Sequence, residues 1–138
     1  MSPTTNQAML AAGLTEVALG ALTGWPYALA IADPERAKAL GIRSNHRLRQ
    51  WHLDLIALGG LTVLAATAVP NLPKPVAVPL TVGAWTNANA FGVLVFRPDL
   101  HDHPGYRAAV LGSFVATTVG FVGLARAAWR ASSSSPSR

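Results

Sequence analysis

Four long stretches with almost no charge constrain the fold of this chain more than any other feature. Residues 55–73, 75–96 and 108–125 contain no Asp, Glu, Lys, Arg or His, and residues 8–32 contain only Glu16. Each stretch is close to the ~20 apolar residues that a helix needs to cross the hydrocarbon core of a bilayer. We therefore predict an all-α fold, an integral membrane four-helix bundle.

Composition supports this class and excludes several kinds of chemistry. Charged residues make up 12% of the 138 residues, about half the ~25% typical of a soluble domain. The chain has no cysteine, which excludes disulfides, thiolate ligands and cysteine nucleophiles. The net charge of +5 is interpreted as topology signals and contacts with the lipid bilayer, not as nucleic-acid binding.

The chain is predicted to form one transmembrane domain over residues 1–131, followed by a disordered serine-rich tail at 132–138. Asp33 and Pro34 indicate the start of a short interfacial helix, and Ser44 and Asn45 are candidate caps for the second long helix. Loop charges weakly favour cytoplasmic first and third loops, and we predict a bacterial-type inner membrane location. The predicted membrane helices are about 8–31, 48–69, 76–96 and 106–129.

His52 is the most informative residue for function, because it lies where a basic segment meets the second apolar stretch. A titratable ring at the mouth of a membrane segment needs a partner. Ile56, Gly59 and Gly60 follow on the same helical face, and the glycines leave room for either a flat ligand or a close helix crossing. His52 is thus either a ligand-holding residue or a side chain directed to the membrane interface above a packing surface.

Polar side chains in other apolar stretches are also costly unless they are bonded. Asn87 and Asn89 lie on different faces of the third helix, so one can bond a neighbouring helix while the other faces a site. Glu16 is expected to pair with His52 or an asparagine, or to stay protonated. His101 and His103 resemble a metal-binding tract, but a solvated loop is the favoured interpretation.

The histidine that opens the second helix, together with the run Ala84-Trp85-Thr86-Asn87, resembles styrene oxide isomerase. The resemblance covers about residues 25–96. It implies a small membrane enzyme with haem b held between the protomers of a homotrimer. It also implies that ferric haem acts as a Lewis acid and isomerises a small hydrophobic epoxide to a carbonyl compound.

The resemblance assigns roles to individual positions. His52 matches the axial haem ligand, while the active-site asparagine and tyrosine of the family fall on Leu58 and Phe91. Tyr27, Asn89 or Asp54 are candidates to replace the missing polar groups. The predicted catalytic residues are Asn87, Asn89 and Phe91; the predicted cofactor contacts are His52 (also the metal ligand), Arg49, Trp85 and Gly59.

Haem ligation makes further demands that residues near His52 can meet. The second ring nitrogen of a ligating histidine needs an acceptor, which Asp54, Glu16 or a backbone carbonyl can supply. Arginines such as Arg49 suit the haem propionates. A single axial histidine leaves the opposite iron position open for Lewis-acid chemistry, whereas two histidines suit electron transfer.

Two other functions stay open at this point. The first is a haem-binding membrane protein without isomerase activity: a sensor, a carrier or an electron-transfer subunit with His46 or His101 as second ligand. The second is a non-enzymatic helix-bundle membrane protein in which His52 and the asparagines only hold helices together.

Overall fold

The computed structural model describes residues 4–133, and within that range the chain is helical with no strand, which confirms the all-α prediction. Among the described residues, three helices are long and apolar enough to cross a membrane: α1 (Thr5–Ala32), α3 (Asn45–Ala68) and α5 (Pro104–Ser133). The fourth long helix, α4 (Lys74–Phe96), carries Asn87, Asn89 and two prolines and is not among them. The elements are α1 (Thr5–Ala32), α2 (Pro34–Ala39), α3 (Asn45–Ala68), α4 (Lys74–Phe96), a short 3-10 helix (Pro98–Asp102) and α5 (Pro104–Ser133).

Side-chain caps explain where the first helices begin. Thr4 accepts from the Gln7 backbone and forms a reciprocal capping box with it, so α1 begins before residue 8. Asp33 Oδ1 accepts from Arg36 N at 3.0 Å and starts α2. Ser44 Oγ accepts from Arg47 N at 3.3 Å and starts α3. The local capping pattern of the sequence therefore fixes these boundaries.

The ends of the helices differ in part from the expected outline. Helix α1 continues through Pro26, which lies inside the predicted helix 8–31, although proline removes a backbone donor at that turn. Helix α5 runs to Ser133, so residues 132 and 133, expected in a disordered tail, are helical. The remainder of the predicted tail, 134–138, lies outside the described residues.

Helices α1 and α3 run antiparallel and cross closely at glycines. A Cβ atom at Gly13 would lie 2.8 Å from Gly59 O, and one at Gly20 would lie 2.7 Å from Ile56 Cγ1. Neither position has room for a side chain, so the two backbones approach as small residues allow between membrane helices. This contact surface, formed by Gly13, Gly20, Gly59 and their neighbours, is the α1–α3 seam.

Helix α4 packs against α3 on one side and α5 on the other, and α1 also touches α4. Within the described residues, helix α5 packs chiefly on α4 and makes a smaller contact with the 3-10 helix. Gly83 and Gly120 make the α4–α5 contact close, because a Cβ at Gly83 would lie 2.5 Å from Thr117 N. The four long helices thus form a group of three with α5 attached to one edge.

A small core fixes the end of the molecule that contains His52. Ala30, Ile42, Leu48 and Val95 are buried together, with Tyr27 and Trp51 packed against them. Arg43 N donates to Val95 O at 2.9 Å, and Asn45 Nδ2 donates to Ala30 O at 3.3 Å. The end of α1, the start of α3 and the end of α4 are therefore tied together.

Candidate functional site in the α1–α3 seam

His52 lies in the second turn of α3 and is half-buried against α1. Its Nδ1 atom is 2.8 Å from Gly20 O and 3.2 Å from Thr23 Oγ1. The Thr23 hydroxyl itself donates to Gly20 O at 2.7 Å. Both neighbours of Nδ1 therefore act as acceptors toward the ring.

This contact settles which ring nitrogen carries the proton. A backbone carbonyl can only accept, so Nδ1 is protonated and donates to Gly20 O. In the neutral ring the lone pair then resides on Nε2. A histidine that ligates a metal through one nitrogen and donates the other N–H to a carbonyl has this arrangement. Of the three expected acceptors, the structure contains the backbone carbonyl rather than Asp54 or Glu16.

The rest of the ring environment also comes from α1. Tyr27 stacks on the imidazole, with ring centroids 5.7 Å apart and planes 29° apart. A Cβ at Gly24 would lie 3.4 Å from His52 Cε1, so glycine leaves the ring edge free of a side chain. Thr23 was not among the predicted site residues, although its spacing from Gly20, Gly24 and Tyr27 places it on the same helical face.

The two other predicted cofactor contacts on α3 have different surroundings. Arg49 is exposed and lies one turn before His52 on the same face. Gly59 is buried in the α1–α3 seam, where an added Cβ would lie 2.9 Å from Gly13 O and from Val17 N. Gly59 therefore serves the close helix crossing, which was one of its two expected roles.

Asn89 on α4 bonds to Trp51 on α3 and to the Trp85 carbonyl of its own helix. Asn89 Oδ1 accepts from Trp51 Nε1 at 3.2 Å, and Asn89 Nδ2 donates to Trp85 O at 2.8 Å. Both the oxygen and the nitrogen of the Asn89 amide group are therefore hydrogen-bonded. Asn89 is thus the asparagine that bonds a neighbouring helix, and within the described residues no hydrogen bond links it or Trp85 to His52.

Asn87 and Phe91 line a separate cavity of about 350 Å³ between α3, α4 and α5. The Arg47 guanidinium lies over Phe91, 5.6 Å from the ring centroid. Tyr106, on α5, donates its hydroxyl to Ala90 O at 3.0 Å at the same place. His52 does not line this cavity, so one chain presents the predicted site residues on two different surfaces.

Glu16 is fully buried, and neither carboxylate oxygen has a hydrogen-bond partner among residues 4–133. It lies beside Gly59, whose added Cβ would be 3.0 Å from Glu16 Cβ. The expected pairing of Glu16 with His52 or with an asparagine is therefore wrong. An unpaired buried carboxyl is expensive when ionised, which leaves the protonated form as the remaining expectation.

The other histidines lie outside the α1–α3 seam. His101 and His103 are exposed, and His101 Nδ1 is 3.2 Å from Asp102 Oδ1. The described chain contains no group of three His, Cys, Asp or Glu side chains that could hold a metal ion. His46 is exposed and borders a shallow hollow with Arg49.

No protein-family model, curated protein or solved structure matches the chain. The chemistry of the α1–α3 seam is therefore the guide to function. There the chain offers a single imidazole, its proton held on one nitrogen by a backbone carbonyl.

Proposed function

We propose that this chain is an integral membrane protein that binds haem b through His52 Nε2 and isomerises a small hydrophobic epoxide to a carbonyl compound. One observation carries the proposal: the Gly20 carbonyl accepts the Nδ1 proton at 2.8 Å and leaves Nε2 as the basic nitrogen. The epoxide chemistry comes from the resemblance to styrene oxide isomerase at His52 and Trp85.

The residues around His52 suit a haem group. Leu53 and Ile56 on α3 are 49% and 41% exposed, so an apolar surface adjoins the imidazole. Ligand sites are mostly apolar, with a few polar groups that fix orientation. Arg49 is exposed and has no salt-bridge partner among the described residues, so its guanidinium is available to a propionate.

Bound ferric haem supplies a Lewis acid for the epoxide oxygen. The chain contributes orientation and a dry environment. Gly20 and Thr23 hold the imidazole through Nδ1, and Tyr27 restricts its rotation by stacking. Apolar helices exclude water, which would otherwise compete by hydrolysing the epoxide.

Two positions lack the polar groups of the family, namely Leu58 and Phe91. Among the proposed replacements, Tyr27 contacts His52 directly. Asn89 is committed to Trp51 and to the Trp85 carbonyl. Tyr27 is therefore the replacement that the geometry supports best, and catalytic roles for Asn87, Asn89 and Phe91 stay predictions.

The proposal includes a bundle in which α4 also spans a bacterial-type inner membrane, and a homotrimer. Helix α4 lies between α3 and α5, so Asn89 is bonded inside the protein and not left in lipid. The homotrimer comes from the resemblance to styrene oxide isomerase.

A haem-binding membrane protein without isomerase activity, whether sensor, carrier or electron-transfer subunit, is the second candidate. Leu58 and Phe91 favour it, because neither side chain can donate or accept a proton. His46 of the same chain would not hold the haem together with His52, since it lies six residues earlier on the same helix and is exposed.

A product assay separates these two candidates. Purified protein loaded with haem b is incubated with a small aryl epoxide, and the products are identified by gas chromatography with mass spectrometry. We expect an aldehyde or ketone to form at least about 100-fold faster than with free haem in detergent, because Lewis-acid stabilisation contributes several kcal/mol. If the haem-loaded protein yields only background product, the second candidate, a haem-binding protein without isomerase activity, is favoured.

A further inference from the structure

The cavity between α3, α4 and α5 has a basic rim that the proposed epoxide chemistry does not use. Arg47 near the start of α3 and Arg107 near the start of α5 both border it, as does His101 of the 3-10 helix. All three come from the end of the molecule where the polar connections gather. The rest of the lining is mostly apolar, apart from Asn87 and Tyr106.

The two arginines at this rim have no carboxylate partner within the described chain. Among the described residues, the Arg47 guanidinium donates only to Gln50 Oε1, at 3.1 Å, and it lies over the Phe91 ring. Arg97 differs, because Asp99 accepts two hydrogen bonds from it at 2.9 and 3.1 Å, and this contact lowers the pKa of the Asp99 carboxyl. The cavity rim thus keeps two positive charges available to a ligand.

The apolar wall of the cavity is exposed on the side formed by α5. Leu111 and Phe114 on α5 both line it and are 64% and 49% exposed. Phe114 lies seven residues after Arg107, a distance of about 10 Å along the helix axis. A ligand that fills the cavity therefore has a charged end at the arginines and an apolar part that reaches the exposed side of α5.

We infer that this cavity binds an anionic phospholipid, with the phosphate at Arg47 and Arg107 and an acyl chain along α4 and α5. Guanidinium groups match phosphate oxygens, and basic pockets between membrane helices take anionic lipid head groups. A neutral epoxide would leave both arginines without a partner. A water-soluble anion would leave the apolar wall uncovered.

This inference depends on the membrane location of the chain but not on haem. The full chain is purified in a non-ionic detergent, stripped of lipid and titrated with phosphatidylglycerol, with phosphatidylcholine or with inorganic phosphate. Native mass spectrometry counts the bound molecules, and the unfolding temperature reports stabilisation by ligand. We expect phosphatidylglycerol to bind and stabilise the chain, and the other two compounds to do so only weakly.

Paired variants test the location of the site. Arg47→Gln together with Arg107→Gln is expected to weaken phosphatidylglycerol binding roughly thirty-fold, because each basic residue near a membrane surface contributes about a factor of five. Arg107→Gln alone, at an exposed position, guards against misfolding and is expected to lose about five-fold. Arg126→Gln, at the other end of α5, is the control and is expected to leave binding unchanged.

Three results would overturn the inference. Equal binding of phosphatidylcholine would show that only apolar contact matters. Binding of inorganic phosphate as strong as that of phosphatidylglycerol would show a site for free phosphate. Equal losses in the rim variants and in Arg126→Gln would show general charge attraction to the detergent–lipid surface. A chain that binds phosphatidylglycerol but not haem would refute the proposed function and leave this inference standing.

Discussion

Replacing Gly120 with leucine is expected to destabilise the protein by about 3 kcal/mol, the upper part of the usual range for overpacking. Gly120 is buried where α5 meets α4, and an added Cβ would lie 2.6 Å from both Leu80 N and Leu80 Cβ. Backbone atoms cannot move aside as the end of a flexible side chain can. Because α5 packs chiefly on α4, the clash is expected to loosen the whole helix.

The measurement is an unfolding curve of each variant in the same detergent, monitored by circular dichroism. Gly112→Leu is the matched control, since it makes the same change on the same helix at a position with nothing within 4 Å of the added Cβ. It is expected to leave the free energy of unfolding nearly unchanged. Equal destabilisation by both variants would contradict the α4–α5 contact described above.

Replacing His52 with alanine is expected to abolish the Soret band of the haem-loaded protein. Loss of groups that merely orient a metal ligand typically costs 10–100-fold in affinity, so loss of the ligand itself is expected to cost more than about 100-fold. The measurement is haem titration followed by absorption. His46→Ala, an exposed histidine on the same helix, is the control and is expected to bind haem normally.

Added imidazole separates loss of the histidine ligand from loss of the fold in His52→Ala. Free imidazole can replace a missing histidine ligand, so it is expected to restore haem that stays with His52→Ala through gel filtration. A variant that had only lost its fold would not retain the haem. Unchanged haem content in His52→Ala would refute the assignment of His52 as the ligand.

Local patterns predicted much of the fold. Long uncharged stretches indicated the long helices, because the signal for an apolar helix lies in consecutive residues. Asp33 and Ser44 were recognised as caps because a cap bonds a backbone group only three residues away. The different faces of Asn87 and Asn89 also followed from helical spacing.

Contacts between distant segments were not predictable in the same way. The spacing of Gly59 allowed two roles, and only the position of Gly13, 46 residues earlier in the chain, decides between them. The acceptor for His52 is a backbone carbonyl, and a carbonyl has no side-chain signature in a sequence. Glu16 illustrates the same limit, since pairing was one of two expectations, and among residues 4–133 its carboxyl is buried without a partner.

The most direct test of the central claim is the absorption spectrum of the wild-type protein, purified in detergent after haem b is supplied, in its ferric and ferrous states. We expect a Soret band with about one haem per chain and a ferric spectrum that shifts when an external ligand such as cyanide is added, because His52 as the one protein ligand would leave an iron position open. A protein that stays colourless would contradict haem binding at His52 and would leave the α1–α3 seam as a packing surface.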